Sequence, residues 1–364
     1  MRRSEQRSRR GNPPLWAAAV TATLLAAGFR PRRFSATTSE LGTRHLRSEE
    51  GRGRLASTPS EIAARGWNDI LLRLYQNISE HRVVALAAGI TFYTLLAIFP
   101  AIAALVAIYG LFADPATLTA HLDQLSGLLP AGAIDVIRDQ LTRVASQRGS
   151  VLGLTFLVGL AVSLWSANAA IKSIFDTLNI VYSEREKRSF VRLNAISLTF
   201  TAASIAFVLI AIGGMIALPP ALKYLGLSDL TELLVRVCRW PALFAVVTLG
   251  LAFVYRYGAS REKPKWRWIS WGSAFAALGW LVVSILFSWY AQNFGSFNKT
   301  YGSLGAVIGF MMWIWLSAIV ILIGAELDAD MEHQTVRDTT TGSPMPMGAR
   351  RARVADTVGP AQGR

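Results

Sequence analysis

Long stretches without charged residues dominate the pattern of the chain. Five of them contain no Asp, Glu, Lys or Arg, and a sixth, shorter stretch lies between Arg239 and Arg256. A helix needs about 20 apolar residues to cross the ~30 Å hydrocarbon core of a bilayer, and it satisfies its own backbone hydrogen bonds there. The pattern therefore predicts an all-α, polytopic integral membrane protein whose membrane domain covers 83–330. Its six transmembrane helices are expected at about 83–112, 151–171, 194–218, 240–257, 269–293 and 304–325.

The basic residues between these spans are distributed unevenly. The loops 182–193 and 256–268 carry 9 Lys and Arg in 25 residues, whereas the loops 113–150, 219–239 and 294–303 carry 7 in 69. Basic loops gather on the cytoplasmic side of a membrane, so the pattern predicts both termini in the cytoplasm (N-in/C-in). The chain is 16% charged, with a net charge of +14 and a mean hydropathy of +0.36. We therefore expect the lipid bilayer and anionic phospholipid headgroups as partners, and no specific nucleic acid.

The two ends of the chain are polar. Residues 1–60 predict a disordered basic arm, although the apolar island Leu15–Phe29 also resembles the core of a signal peptide. Residues 331–364 contain Gly, Pro and Arg and predict a disordered cytoplasmic tail.

Amphipathic patterns flank the first span. Residues 61–82 place apolar side chains on one helical face and charges on the other, which predicts a helix lying along the cytoplasmic interface. Two shorter patterns between Asp114 and Val144 predict helices on the outer membrane face, and Pro100 is expected to kink the first span. The apolar face of the predicted interfacial helix 61–82 comprises Trp67, Ile70, Leu71, Leu74, Tyr75 and Ile78.

A polar stripe follows the second span, in the segment "LWSANAAIKSIFDTLN" (164–179). At 100° per residue, Asn168, Lys172 and Asp176 lie on one face. Two interpretations stay open. Lys172 extends to the headgroups and pairs with Asp176 four residues on, or the stripe lines a pathway for a substrate or ion.

The last span ends in "GAELDAD", which places Glu326, Asp328 and Asp330 at the same expected depth. Thr91 and Tyr93 of the first span lie at this level too. Polar groups from three helices that converge in a membrane are typical of a transport pathway. We therefore take Glu326, Asp328, Thr91 and Tyr93, with the stripe residues, as candidates for a substrate or ion pathway.

Three segments carry a resemblance to a known family. They are "ALAAGITFYTLLAIFP" (85–100), "LWSANAAIKSIFDTLNIVY" (164–182) and "YGSLGAVIGFMMWIWLSAIVILIGAELDAD" (301–330). In their order and spacing they resemble the YihY/BrkB family of bacterial inner-membrane proteins, over roughly 62–330. The resemblance implies six helices in the bacterial cytoplasmic membrane, with older labels of ribonuclease BN and virulence factor. Asp328 stands where the family pattern Gly-Ala-Glu-Leu-Asn has asparagine.

Three functions follow as hypotheses. The sequence favours a transporter or translocator of a lipid, envelope component or small solute, and the alternative is a non-transporting scaffold that recruits partners. A membrane-bound ribonuclease is disfavoured because the four histidines are scattered, one cysteine excludes multi-cysteine metal sites, and no acid–base pair stands out. Without a phosphate-binding loop we expect no nucleotide. The scattered histidines and the single cysteine likewise lead us to expect no metal or other cofactor and no enzymatic activity. A homo-oligomer is compatible with the sequence.

Overall fold

The computed structural model describes residues 49, 51–110, 152–224, 228–293 and 304–362. Within these ranges the chain is helical, and extended pairing is limited to an isolated antiparallel bridge between Pro264 and Thr340. The all-α prediction is therefore confirmed for the described residues. A short 3-10 helix, Pro59–Glu61, precedes α1 (Ala64–Glu80), α2 (Val83–Gly110), α3 (Leu152–Val181), α4 (Phe190–Tyr224), α5 (Ser228–Tyr257), α6 (Trp266–Asn293), α7 (Leu304–Glu332) and the single turn α8 (Arg353–Asp356).

Three helices in the described ranges have stretches long and apolar enough to cross a membrane, namely Phe190–Phe207, Trp266–Ala291 and Val307–Glu332. Shorter apolar stretches are Val83–Ala97 and Pro241–Tyr257. Large apolar side chains lie exposed along these helices, which suits contact with lipid tails. The exposed set includes Phe92, Leu249, Leu278, Ile285 and Leu286.

Several helices extend beyond the charge-free windows that predicted them. α3 continues to Val181, so that Lys172 and Asp176 are helical, and α5 begins at Ser228 and runs through Pro241. A helix satisfies its backbone hydrogen bonds as well among headgroups as in lipid, so it need not end where charge begins. α2 is likewise continuous through Pro100. The kink there stays a prediction.

α7 is the central helix, and it packs against α1, α2, α3 and α6. Its approach to α6 depends on glycine. A Cβ added to Gly324 would lie 2.6 Å from Ala276 Cβ and 2.9 Å from Tyr255 Oη, and one added to Gly272 would meet the Gly324 carbonyl oxygen. Small residues let helix backbones come this close in a membrane.

The C-terminal segment differs from the predicted disordered tail. Gln334, Thr335 and Thr339 are fully buried, and Arg350 donates to the carbonyl oxygens of Val336 and Ala355 at 2.8 and 2.6 Å. The composition predicted disorder because the segment has few apolar residues. Its order comes instead from polar groups that are satisfied by hydrogen bonds.

The predicted basic arm also ends earlier than residue 60. Arg54 and Ala56 are buried, and the Arg54 carbonyl oxygen accepts hydrogen bonds from Val336 N at 2.9 Å and Thr335 Oγ1 at 3.1 Å. The segment 51–62 is therefore part of the folded protein. The apolar island Leu15–Phe29 and the outer helices expected between 114 and 144 lie outside the described residues.

Candidate functional site

Three carboxylates lie near the C-terminal end of α7, within its apolar stretch Val307–Glu332. Glu326, Asp328 and Asp330 are each at most 2% exposed. Residues four apart share one face of a helix, whereas the residue midway between them lies on nearly the opposite face. Glu326 and Asp330 accordingly face α1, and Asp328 faces α6.

The α1 side forms a ladder of polar contacts. Glu326 Oε1 lies 2.6 Å from His81 Nδ1, and Asp330 Oδ1 accepts a hydrogen bond from Asn77 Nδ2 at 3.1 Å. Arg73 Nη2 donates to Gln334 Oε1 at 2.6 Å. Four-residue spacing on both helices brings these groups into register. We call this set the α1–α7 polar seam, and it comprises Asp69, Arg73, Asn77, His81, Glu326, Asp330 and Gln334.

The sequence analysis did not predict this seam, because the apolar periodicity of α1 indicated a different face as the buried one. Ile70 and Leu74 are buried as expected, but Leu71 and Tyr75 are 53% and 76% exposed. The buried face also includes Asp69 and Arg73. The spacing of four between polar residues of α1, repeated in α7, was the signal that would have found it.

His81 connects α1 to α2 and lies outside the apolar stretches of both helices. The hydrogen bond to Glu326 raises the pKa of His81 above its ordinary value, while burial opposes the change. The negative charges of Glu326 and Glu80 act in the same direction as the hydrogen bond. The seam therefore favours the charged imidazolium beside Glu326.

Asp328 occupies the other side of α7. Its Oδ1 accepts a hydrogen bond from the backbone N–H of Gly272 at 2.8 Å. One turn along α7, Glu332 pairs with Arg261 at 2.5 Å and accepts a hydrogen bond from Thr339 Oγ1 at 2.9 Å. The Arg261 guanidinium also lies 4.1 Å from the centre of the Tyr182 ring.

Each of the three carboxylates keeps one oxygen without a hydrogen-bond partner. These atoms are Glu326 Oε2, Asp328 Oδ2 and Asp330 Oδ2. A buried polar atom without a partner costs about 1–3 kcal/mol, and more when it is charged. The C-terminal end of α7 therefore has the chemistry to bind a proton or a cation.

The polar stripe on α3, as the structure describes it, does not contain the predicted ion pair between Lys172 and Asp176. Lys172 Nζ donates to Asn194 Oδ1 at 2.5 Å and lies 6.0 Å from the ring centres of Trp165 and Phe190. Asp176 is exposed, and no ion pair joins it to Lys172 in the described ranges. Lys172 thus ties α3 to the start of α4, and the structure does not bring it to the α7 carboxylates.

The remaining candidates are scattered. Asn168 is buried and its Oδ1 has no hydrogen-bond partner. Thr91 is buried but donates to the carbonyl oxygen of Ala87 in its own helix at 2.7 Å, and Tyr93 is 42% exposed. Among the residues that the structure describes, no group of three or more His, Cys, Asp or Glu side chains is arranged to hold a metal ion.

Comparisons with known proteins cover most of the chain. The family model described as virulence factor BrkB matches residues 74–347. YfkH of Bacillus subtilis, a protein named as ribonuclease-like, is 30% identical over 275 residues, or 71% of this chain and 94% of the relative.

More distant relatives carry the name UPF0761 membrane protein. That of Haemophilus influenzae is 22% identical over 72% of this chain and 94% of its own length. That of Methylibium petroleiphilum is 25% identical over 76% of this chain, and the match spans 66% of the relative. No solved structure matches the chain.

Proposed function

The chain belongs to the virulence factor BrkB family, and from this premise we propose that it is a multi-pass protein of the bacterial cytoplasmic membrane that moves a polar or charged substrate. The substrate class is a lipid, an envelope component or a small solute. In this proposal six helices cross the membrane with both termini in the cytoplasm. The C-terminal end of α7 then lies at the cytoplasmic side.

The observation that carries the proposal is the group of buried carboxylates on α7. Ionisable residues within membrane-spanning segments are rare because burying them in lipid is costly, and those that face the interior of a helix bundle usually mark a pathway for a substrate or ion. Glu326, Asp328 and Asp330 all lie in a stretch apolar enough to cross a membrane, and each has an oxygen free of hydrogen bonds. This supports coupling of transport to a proton or cation that binds there.

The α1–α7 polar seam links the binding of a proton or cation at Glu326 to a change in the packing of α1 against α7. When a proton or cation binds Glu326, its attraction for the His81 imidazolium weakens, and the seam loses a charge-assisted hydrogen bond. A ligand that binds one arrangement of two packed helices better than the other shifts the balance between them. The proposed cycle alternates between a closed seam and an open one.

The α3 stripe stays part of the proposed pathway. Asn168 is buried with an unpartnered oxygen, and Asp176 is exposed beside Lys172. These residues lie on a helix that packs against both α2 and α7. In this proposal they contact the substrate, whereas the α7 carboxylates bind the coupling proton or cation.

The test compares Glu326→Gln with Glu262→Gln, a matched control at an exposed loop position. Each variant is expressed in a deletion strain, whose lipid and metabolite profile identifies the accumulated substrate, and flux is then measured in liposomes. We expect Glu326→Gln to abolish flux at unchanged expression and Glu262→Gln to retain it. Full flux through Glu326→Gln contradicts the role of the α7 carboxylates.

The name of the Bacillus relative suggests a second candidate, a membrane-bound ribonuclease. It is tested by incubating the purified protein in detergent with RNA and Mg²⁺. We expect no degradation above that of a mock preparation. Degradation that Glu326→Gln leaves unchanged would favour a nuclease elsewhere in the chain, and inactivity in both assays would favour the scaffold.

A further inference from the structure

A basic cavity of about 310 Å³ lies at the start of α6, apart from the α7 carboxylates. Three segments of the chain form it: residue 57, the N-terminal end of α6, and residues 337–350. Hydrogen bonds fix these walls, since Lys265 N donates to the Thr339 carbonyl oxygen at 2.8 Å and Thr341 N donates to that of Lys263 at 2.9 Å. The cavity is therefore a built feature of the fold.

The cavity carries an excess of positive charge. Its acidic lining residue, Asp338, accepts hydrogen bonds from Thr340 and Met345 and lies 3.9 Å from Arg350. Arg350 is buried and its guanidinium donates to backbone carbonyl oxygens. These two charges offset each other, which leaves those of Lys265, Arg267 and Arg337.

These three cations retain hydrogen-bond donors. Lys265 Nζ uses one donor on the Asp338 carbonyl oxygen at 2.7 Å, and Arg337 Nη1 uses one on Ser57 Oγ at 2.5 Å. Arg267 is exposed and has no hydrogen bond or ion pair to any other residue in the described ranges. The N-terminal end of α6 adds the positive end of a 28-residue helix.

In the proposed topology, in which α6 crosses the membrane, the cavity lies at the depth of the phosphate headgroups. The apolar stretch of α6 begins at Trp266, and Trp266 and Trp271 are 41% and 49% exposed. Exposed tryptophans are enriched where a span meets the headgroups. A guanidinium also matches two phosphate oxygens at once.

We infer that this cavity binds a phosphate monoester or diester, with Arg267 and Arg337 as its main ligands and Lys265 as a third. The phosphate belongs to an anionic lipid headgroup or to a soluble phosphate ester. The inference does not depend on the proposed transport, because it rests on the cavity and its charges. Its lipid form also rests on the proposed position of α6 in the membrane.

The test measures ligand retention by native mass spectrometry of the full-length protein in detergent. The variant Arg267→Ala/Arg337→Ala is compared with wild type and with Arg185→Ala/Arg192→Ala, which removes the same charge from exposed positions of the α3–α4 loop region. Loss of two charge-assisted contacts should weaken binding of phosphatidylglycerol by about tenfold or more. The control variant should bind as wild type does, and equal thermal stability of the three proteins excludes misfolding.

Two arms separate the sources of the phosphate. Titration with phosphatidylglycerol tests the lipid, and titration with glycerol 3-phosphate in lipid-free detergent tests the soluble ester. Binding of either ligand that is lost in Arg267→Ala/Arg337→Ala and kept in the control supports the cavity and assigns its source. Equal retention of both ligands by the two double variants, or no binding to wild type, overturns the inference.

Discussion

Replacement of His81 by alanine tests the α1–α7 polar seam most sharply. Glu326 is fully buried, and its Oε1 contacts His81 while its Oε2 has no hydrogen-bond partner. His81 is therefore the one hydrogen-bond partner of the Glu326 carboxylate among the described residues. His81→Ala leaves both carboxylate oxygens unpaired. Removing one partner of a buried charged pair costs about 3–5 kcal/mol, so we expect the free energy of unfolding to fall by about 3 kcal/mol.

The assay is denaturant unfolding in mixed micelles, with Ser79→Ala as an exposed neighbour in the same helix. His81 binds its proton more tightly in the folded protein, since its pKa is raised there. The stabilisation is therefore complete below the ordinary pKa of about 6.5 and is lost as pH rises through the folded value. The difference between wild type and His81→Ala should shrink from pH 6 to pH 9. Equal stability of His81→Ala and Ser79→Ala at pH 6 would refute the reasoning.

Three further predictions concern other parts of the fold. Gly272→Ala, whose Cβ would meet Gly324 and Asp328, should lower the thermal midpoint and cost about 1–3 kcal/mol, whereas Gly250→Ala has open space and should not. Burial and nearby arginines lower the pKa of His333 to about 4, so wild type should lose stability as pH falls from about 6.5 towards 4, and in His333→Gln this loss should shrink. Lys172→Ala removes the hydrogen bond to Asn194 and should increase proteolysis of the 182–189 loop, and unchanged cleavage would argue against this tie.

The helices were predictable because lipid excludes charge over long windows. The small residues Gly272 and Ala276, four apart on α6, likewise favour close packing of a helix, although the spacing does not identify α7 as the partner. These features depend on local sequence alone. They required no knowledge of which helices are neighbours.

The polar seam and the ordered C-terminal segment were not predictable in this way. Arg73 meets Gln334 across 261 positions of sequence, and Thr335 meets Arg54 across 281. A polar residue has the same local pattern whether it faces water or a distant hydrogen-bond partner. Composition therefore predicted disorder for a segment that is held by hydrogen bonds rather than by apolar burial.

The α3 stripe shows the same limit. Periodicity placed Asn168, Lys172 and Asp176 on one face, but it could not say which helix lies opposite. In the structure Lys172 contacts Asn194 of α4 instead of the α7 carboxylates. Pairing between helices is a tertiary property.

The proposal as a whole depends on α7 crossing the membrane and ending on the cytoplasmic side. Paired reporter fusions measure this most directly, with alkaline phosphatase and green fluorescent protein each joined at Gly149 and after residue 364. We predict active phosphatase at Gly149 and fluorescence at the C-terminal site. The same reporter active at both sites would contradict the account.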